Sequence, residues 1–574
     1  MKRYALVIAA AFIVALAAVI TIFPNYWTTT LYDPAKTHLV VEGDIVDENE
    51  PPIIENGEVL LPYETVKKYI DPKVYWDKKV GKVVFTTKDK VVIMKTDKLS
   101  AMVNAKPVDL NIPVRLVDGT PYIPVEFTSD LFGIELKWVK ENNVVILDYK
   151  KSRVQIAEPI AENLRLRLKP SRFSPVLKSG INPNDKFRVF GENEKWYKVR
   201  TDEGLIGYLE KKQLKTSILS PGAKTEEPSP SSAWKPEKGK VNLVWEYVGS
   251  KNPNTANIKK MEGLDVVSPT WFNIVDKQGT VANKADSSYV AWAHGNGYKV
   301  WALVGNGSDK DITHAFLNNT DTREKIVQQL LIYAKLYKLD GINIDFENIY
   351  GKDRDMLTQF MREMAPLLRE QGMVVSMDVT FRSSSDTWSK CYDRKALAEV
   401  VDYMAVMAYD QNGTFSTEPG SVAQYNWVEG GLVRILEEVP EDKLLLGLPF
   451  YAREWKEEKV DGKIKVTSKA LSMDAVNKII AEKKPVVTWD EESGQFYTEF
   501  KEGKATYKIW IENKDSINLK SSLVHKYKLA GAASWRRGFE TEDVWKVLAD
   551  TLKVKQDYTQ WTSANSFENM KAAH

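Results

Sequence analysis

The sequence predicts an α/β protein whose largest part is a (β/α)8 TIM barrel with a small inserted subdomain. From residue 241 to about residue 552, eight apolar strand-like segments alternate with helix-like segments. In residues 339–350, Ile342, Ile344 and Phe346 alternate with small and acidic residues, so that a strand would have one apolar and one acidic face. Carboxylates on a buried strand require a functional reason, and active sites of such barrels lie at the carboxyl ends of the strands.

The predicted barrel strands follow one another at the spacing that a β/α barrel requires. They lie near residues 241–247, 266–272, 299–305, 341–347, 374–380, 403–409, 444–451 and 530–535. Helix-like segments at 322–337 and 353–371 flank the fourth strand, which favours a central strand over a solvated edge strand. The stretch 453–520 is too long for a helix alone, and its β-rich pieces predict an inserted subdomain.

Length and charge exclude several classes of function. The 574 residues imply roughly three or four domains at ~100 to 200 residues each. The 80 basic and 78 acidic residues are interspersed, and a net charge of +2 gives no electrostatic basis for binding nucleic acid. The single Cys391 excludes an intrachain disulfide, and the five histidines show no metal-ligand spacing. We therefore expect no metal and no cofactor.

Residues 1–30 differ in composition from the rest of the chain. Lys2 and Arg3 precede an uncharged apolar run at 4–23, which is the layout of an export signal. The run is long enough to cross a bilayer as a helix, so we expect an uncleaved anchor with the remainder of the chain outside. Cleavage after Ala17 is the alternative. Export without disulfides indicates a bacterial envelope.

An internal repeat dominates residues 34–150. Residues 56–85 align without gaps with residues 118–147, and each copy predicts a turn, a short strand, an amphipathic helix and a β-hairpin. The residues that recur are Gly57, Pro62, Glu64, Trp76 and Val83 in the first copy and Gly119, Pro124, Glu126, Trp138 and Val145 in the second. The pair resembles the copper amine oxidase N-terminal-like domain of exported bacterial proteins. Neither copy contains a histidine that could bind copper, which favours a spacer or wall-binding module.

Residues 153–215 predict a small β-barrel, with hairpin turns at 191–193 and 202–204. The segment resembles bacterial Src-homology-3-like (SH3-like) domains through Leu164, Arg165, Trp196, Tyr197, Gly207 and Tyr208. Trp196 and Tyr197 could hold a glycopeptide or belong to the core, which is the commoner role of aromatic residues in so small a barrel. A proline- and serine-rich linker follows at 216–240, and a C-terminal tail occupies 553–574.

The motif DGINIDFE at residues 340–347 resembles the DGxDxDxE signature of glycoside hydrolase family 18, the chitinase-like hydrolases. Asp340, Gly341, Asp345 and Glu347 occupy matching positions. Asn343 departs from the pattern, because most members have the first of three inner acids there. The resemblance implies a glycosidase with Glu347 as its catalytic acid.

Other strand ends carry the same resemblance over roughly the last 310 residues. YMAVMAYD, which starts at Tyr403, matches the family's MxYD motif; GLPFYAREW from Gly447 and GAASWRRGFE from Gly531 resemble its last two strands. The Arg536-Arg537 pair departs from the more apolar residues usual at that point. The substrate-binding residues that the resemblance implies are Asn343, Trp271, Met407, Asp410, Tyr451 and Trp535.

The spacing of the two acids bears on mechanism. Asp345 and Glu347 are two residues apart on one strand face, about 6 to 7 Å along the same side, so they cannot flank the anomeric carbon as a retaining pair about 5 Å apart would. The resemblance implies substrate-assisted catalysis, in which the substrate's N-acetyl oxygen attacks. Glu347, with a pKa raised by Asp345 and aromatic neighbours, would protonate the glycosidic oxygen and then activate water. Asp345 would orient the acetamide, Tyr409 would donate to its carbonyl, and Trp535 would form the floor.

The leading functional hypothesis is an exported hydrolase of β-1,4-linked N-acetylglucosamine glycans. Peptidoglycan is favoured over chitin because wall-type accessory domains precede the barrel and no chitin-binding module is recognisable. A sporulation role is compatible with the family. The alternatives are a lectin on an inactive barrel, which Asn343 leaves open, and a structural envelope protein. The expected partners are a polysaccharide and, through the N-terminal segment, a membrane, with no nucleic acid and a monomeric chain.

Overall fold

The computed structural model describes residues 8–16, 19, 25–46, 49–150, 153–219 and 234–564. They fall into two compact units, one within Met1–Phe85 and Val92–Glu227 and the other within Thr86–Val91 and Pro228–His574. Among the described residues, none of the helices has both the length and the apolar character that crossing a membrane requires. Much of the predicted anchor at 1–30, most of the linker at 216–240 and the end of the tail lie outside these ranges.

The two repeats of the N-terminal unit share one core. Ile123 of the second copy pairs with Leu61 of the first in an antiparallel ladder, and both belong to one buried cluster with Phe85 and Leu147. The strands of the first half are His38–Val41, Asp44–Val46, Ile53–Glu55, Glu58–Pro62, Tyr75–Asp77, Lys82–Thr86 and Val91–Lys95. Those of the second half are Ser100–Val103, Lys106–Asp109, Arg115–Val117, Thr120–Pro124, Ile134–Val139 and Val144–Tyr149.

The helices of the two copies differ in length. The first copy contains Tyr63–Tyr69, whereas the second has a 3-10 turn, Glu126–Thr128, and the short helix Ser129–Phe132. Gly133 ends this second helix in the left-handed conformation, with φ of 63°, which a glycine adopts at little cost. The second copy therefore has a shorter helix than the sequence alignment predicts.

The remainder of the N-terminal unit is one seven-stranded sheet. In spatial order its strands are Val176–Ile181, Leu164–Arg167, Ile206–Glu210, Trp196–Arg200, Phe187–Glu192, Val154–Pro159 and Leu214–Leu219. Leu164, Leu166, Phe187 and Val199 form its core, against which Tyr197 packs. Trp196 is buried.

The C-terminal unit is a closed barrel of eight parallel strands, which confirms the predicted fold. In chain order the strands are Val241–Glu246, Val266–Pro269, Lys299–Gly305, Gly341–Asp345, Val374–Thr380, Tyr403–Met407, Leu444–Pro449 and Gly531–Trp535. Each pairs with the next, and the eighth pairs with the first. We call them barrel strands one to eight. The helices that follow or precede them are Ser287–Gly295, Lys310–Leu317, Thr320–Tyr337, Arg354–Glu370, Arg394–Val400, Tyr425–Ile435, Lys514–Ser521, Leu523–Lys526, Asp543–Ala549 and Tyr558–Ala564.

Two apolar layers enclose the strands. Ile342 and Ile344 of strand four, and Phe346 just after it, are buried in the outer layer, between the barrel and its helices, as the alternation predicts. The inner layer contains Trp245, Trp301 and other residues, and Tyr409 and Trp535 pack at its edge. The polar face of strand four therefore points into the barrel.

The inserted subdomain follows strand seven directly. Its sheet contains Tyr451–Val460, Lys463–Ser472, Val487–Asp490, Gln495–Glu502 and Ala505–Ile511, and its helix is Met473–Lys483. The sheet thus begins at Tyr451, two residues before the predicted start of the insertion.

A buried ion pair lies where the insertion returns to the barrel. Lys520 Nζ lies 2.5 Å from Glu512 Oε1, and both side chains are 0% exposed. Glu512 also accepts hydrogen bonds from Gln495 Nε2 at 2.8 Å and from Ser516 Oγ at 2.6 Å. The Glu512 carboxylate therefore joins the insertion's sheet to the helix Lys514–Ser521.

Candidate active site

Strand four brings the predicted acids to the mouth of the barrel. Its ladder ends at Asp345, so Glu347 lies in the loop just beyond it and not on the strand as predicted. Asn306, which follows strand three, holds this loop: its Oδ1 accepts from the Glu347 N–H at 3.0 Å, and its Nδ2 donates to the Glu347 carbonyl at 2.8 Å. One amide side chain thus satisfies both backbone groups of Glu347.

Asn343 is fixed on the inner face by residues of three other strands. Trp245 Nε1 and Ser268 Oγ donate to its Oδ1 at 2.9 and 3.2 Å. Its own Nδ2 donates to Asp378 Oδ1 at 2.8 Å. The side chain is 1% exposed, and this network assigns its oxygen and nitrogen.

Asp378 is a buried acid that the sequence analysis did not identify. It lies on the inner face of strand five, where burial raises its pKa to about 8, the hydrogen bond from Asn343 opposes the rise, and the charge of Glu347 adds to it. The signal was present in VVSMDVT, because this strand has an acid inside an apolar run, as strand four does.

Asp345 is the carboxyl whose pKa is affected by the charges of both other acids. Its Oδ1 is buried and has no hydrogen-bond partner among the residues that the structure describes. Burial raises the pKa of Asp345 well above its ordinary value, and the charges of Glu347 and Asp378 add to the rise. This carboxyl is therefore held protonated unless its proton has another acceptor.

Burial also raises the pKa of Glu347, and the charge of Asp410 adds to it, while a hydrogen bond from Ser308 opposes it. Ser308 Oγ lies 3.4 Å from Glu347 Oε2. The main cause of the raised Glu347 pKa is thus desolvation. The like charge that adds to it is Asp410, whereas the sequence analysis predicted Asp345. A raised pKa keeps Glu347 able to donate a proton near neutral pH.

Aromatic rings line the barrel beside these acids. The Trp245 ring lies 6.5 Å from Tyr409 and 6.1 Å from Trp535, and Tyr409 lies 6.3 Å from Tyr451. Burial raises the pKa of the Tyr409 phenol well above its ordinary value, and the charge of Asp378 adds to this. Tyr409 is therefore a protonated hydrogen-bond donor. Met407 ends strand six and, with the period of the strand, lies on the same inner face.

Asp410 lies at the junction of the barrel and the insertion. It accepts a hydrogen bond from Tyr451 OH at 2.6 Å, and Arg453 NH2 lies 3.8 Å away. Both partners come from the first strand of the insertion. The structure thus brings Asn343, Asp345, Glu347, Met407, Tyr409, Asp410, Tyr451 and Trp535 to one end of the barrel.

Trp271 does not join this group. It follows the turn after Pro269, where strand two ends, and is 1% exposed within the outer layer. Its Nε1 donates to Asn252 at 2.6 Å, and its ring packs against Tyr289 at 5.5 Å. Its predicted contact with substrate stays a prediction.

The two arginines after strand eight have different surroundings. Arg537 is paired with the buried Glu246. The Arg536 guanidinium lies 4.8 Å from the ring centre of Tyr247 and 3.9 Å from that of Phe539. No acid among the described residues forms an ion pair with Arg536. Within the same residues, no cluster of histidine, cysteine and acidic side chains could hold a metal ion.

Comparison with known proteins matches three parts of the chain to known families. The family profile "Glycosyl hydrolases family 18" matches residues 243–540, "Copper amine oxidase N-terminal domain" matches 40–147 and "Bacterial SH3 domain" matches 162–215. The chain is 27% identical to the uncharacterized glycosylase YvbX of Bacillus subtilis, over 55% of this chain and 94% of that protein.

Two further similarities concern the barrel. The chain is 27% identical to the di-N-acetylchitobiase of Homo sapiens, over 50% of this chain and 83% of that protein. The solved spore cortex-lytic enzyme SleL of Bacillus megaterium aligns with a TM-score of 0.50 at 20% identity, over 59% of this chain and 77% of that one, which shows the shared fold. The chain belongs to the glycosyl hydrolases family 18 and is a glycosidase.

Proposed function

We propose that this glycosidase cleaves β-1,4-linked N-acetylglucosamine glycans by substrate-assisted retaining catalysis, with peptidoglycan as its polymer. The observation that carries the proposal is the position of Glu347, Asp345 and Tyr409 at one end of the barrel, where Tyr409 and Trp535 pack against the same aromatic cluster. Glu347 as the one proton donor, with its neighbouring carboxyls on the same side of the site, suits a reaction in which the substrate supplies the nucleophile.

In the first step Glu347 donates its proton to the glycosidic oxygen, and the bond from this oxygen to the anomeric carbon breaks. The acetamido oxygen of the same sugar attacks the anomeric carbon and closes an oxazolinium ring. Asp345 accepts a hydrogen bond from the acetamide N–H and stabilises the positive charge that develops. Tyr409 donates to the acetamide oxygen, and Trp535 supports the distorted sugar.

In the second step the Glu347 carboxylate takes a proton from water. The hydroxyl group adds to the anomeric carbon, the ring opens and the acetamide is restored. Both Glu347 and the N-acetyl group return to their starting states. A substrate with a 2-hydroxyl in place of the acetamido group is therefore expected to be inert.

The preference for peptidoglycan rests on the accompanying domains. The matches to a bacterial SH3 domain and to a copper amine oxidase N-terminal domain favour a wall polymer, because both are accessory domains and neither is a chitin-binding module. Export, an N-terminal anchor, location in the cell envelope and a monomeric state are parts of this proposal. Chitin is the alternative polymer, which the similarity to a di-N-acetylchitobiase favours.

The test compares the purified full chain with Glu347→Gln on peptidoglycan and on chito-oligosaccharides, and detects new reducing ends by mass spectrometry. Glu437→Gln is the matched control, because Glu437 is an exposed glutamate. We expect new N-acetylglucosamine ends from peptidoglycan with the unmutated chain and the control, and glycan binding without cleavage by Glu347→Gln. Binding without cleavage by all three proteins would instead indicate a lectin, and ordinary rates for Glu347→Gln would refute the assigned role.

A further inference from the structure

Asp378 occupies a position beside Asp345 that the catalytic motif does not foresee. Strands four and five pair in parallel with Asn343 opposite Ser376 and Ile344 opposite Met377, so Asp345 is next to Asp378 in the same register. Paired residues on adjacent strands are about 4.8 Å apart and point to the same face. Two carboxyls thus lie side by side at the inner mouth of the barrel.

Asn343 occupies the motif position where most family members have the first of three inner acids, and its amide hydrogen-bonds Asp378. An amide can donate to a carboxylate but cannot take up a proton at neutral pH. Because Trp245 and Ser268 both donate to its Oδ1, the Asn343 amide is oriented with its nitrogen toward Asp378. The third acid of this site is therefore present, on strand five and not on strand four.

Asp345 needs a local proton acceptor to act in the proposed function. Its buried Oδ1 has no partner among the described residues, and the desolvation of this oxygen favours the neutral form of the carboxyl. A neutral Asp345 cannot stabilise the charge on an oxazolinium ring as a carboxylate would. The proton must leave Asp345 when the sugar binds.

We propose that Asp378 is a positioning residue that takes this proton. The O–H bond at Asp345 breaks, a new O–H bond forms at Asp378, and the Asp345 carboxylate turns to accept the acetamide N–H. No proton enters from solvent, and the reverse transfer follows product release. This inference rests on the proposed function, and it explains how an Asn343 enzyme retains a proton-sharing acid pair.

The groups that face Asp378 are compatible with such a transfer. Asp345 approaches from strand four, Glu347 from the loop after it and Tyr409 from the segment after strand six. The neutral donors Asn343 and Trp245 come from strands four and one. The cations of the site lie elsewhere: Arg453 is beside Asp410, and Arg537 is paired with Glu246. With no cation among these neighbours, the adjacent Asp345 and Asp378 hold one proton between them, so Asp378 is ionised while Asp345 is protonated and can accept its proton.

The experiment moves the acid from one strand to the other. Asp378→Asn keeps the size of the side chain and leaves an oxygen for the Asn343 amide to donate to. We expect kcat on the active polymer to fall roughly tenfold or more, in line with the loss of proton-transfer assistance. The loss should be smaller at higher pH, where Asp345 can release its proton to solvent.

The double variant Asn343→Asp/Asp378→Asn is the decisive comparison. It restores one carboxyl and one amide with their positions exchanged, and it should recover most of the lost kcat. Thermal unfolding of both variants provides the fold control, and the double variant tests the idea even if Asp378→Asn alone unfolds.

The outcomes separate the two proposals. Recovery by the double variant supports Asp378 as the proton acceptor. Ordinary kcat in Asp378→Asn, or a folded double variant that stays inactive, would overturn this inference while cleavage by the unmutated chain and its loss in Glu347→Gln still uphold the proposed function. Absence of cleavage by the unmutated chain would overturn both.

Discussion

The buried ion pair between Lys520 and Glu512 leads to a stability prediction that the structure makes quantitative. Substituting Lys520→Met removes the cation and leaves the Glu512 carboxylate fully buried, with the hydrogen bonds from Gln495 and Ser516 still in place. Removing one partner of such a pair costs about 3–5 kcal/mol. With a midpoint shift of about 2 °C per kcal/mol for a large domain, unfolding of the C-terminal unit should begin roughly 6–10 °C lower.

The loss should depend on pH in a defined direction. Burial raises the pKa of Glu512 and lowers that of Lys520, and each partner's charge opposes the shift of the other. Without Lys520 the pKa of Glu512 rises further, so the folded state holds a proton that the unfolded chain releases near its ordinary value of 4.5. The variant's deficit is therefore small at acid pH and grows as the pH rises toward the folded-state pKa.

Calorimetry at pH 5 and at pH 8 measures this deficit. The double variant Glu512→Gln/Lys520→Met should recover most of the loss, because a neutral pair has no charge to desolvate. Lys483→Met is the matched control from the same subdomain, since Lys483 and Glu502 are a partly exposed pair worth about 0–1 kcal/mol. A deficit below about 1 kcal/mol at pH 8, or a double variant as unstable as the single one, would refute the reasoning.

Three further predictions concern the active site. Asn306→Ala removes both hydrogen bonds to the backbone of Glu347, and kcat should fall by about tenfold to a hundredfold with little change in KM; an unchanged kcat would show that the loop is held by other contacts. Asp410→Asn removes a like charge that raises the pKa of Glu347, so the alkaline limb of the pH profile of kcat should move to lower pH, and a move to higher pH would contradict the assignment. Arg536→Gln should raise KM about two- to fivefold for peptidoglycan, whose stem peptides carry free carboxylates, but not for chito-oligosaccharides. The exposed Arg434→Gln should change neither KM, and equal effects on both polymers would contradict recognition of the anion.

The sequence predicted the barrel well because each buried strand has its own apolar signal. Strands three and five begin and end at the predicted residues, Lys299–Gly305 and Val374–Thr380. Strand ends were less predictable where the alternation continues beyond the ladder, as at Glu347. Strand two ends at Pro269, where the Trp271 N–H donates a turn hydrogen bond to the Pro269 carbonyl.

Two residues of the site were not predicted, for different physical reasons. Asp378 has a sequence signal, an acid in an apolar strand, but only the register between two strands places it beside Asp345. Asn306 has no such signal, because an amide that bonds a backbone forty residues away looks like any loop asparagine. Contacts between distant segments therefore mark the limit of prediction from one sequence.

The two hydrogen bonds between the Asn306 amide and the Glu347 backbone limit how the Glu347 carboxyl can act in both steps of the proposed mechanism. Both polar groups of the Glu347 main chain are bonded, so the backbone of this proposed general acid is held in place and its carboxyl moves only by rotation about the side-chain torsions. The Glu347 carboxyl can therefore occupy only the positions that rotation about a fixed Cα allows. In the proposed mechanism, the leaving oxygen and the incoming water must both lie within reach of these positions. In the proposed mechanism, the substrate and the water are thus positioned against an acid whose backbone stays in place during both steps.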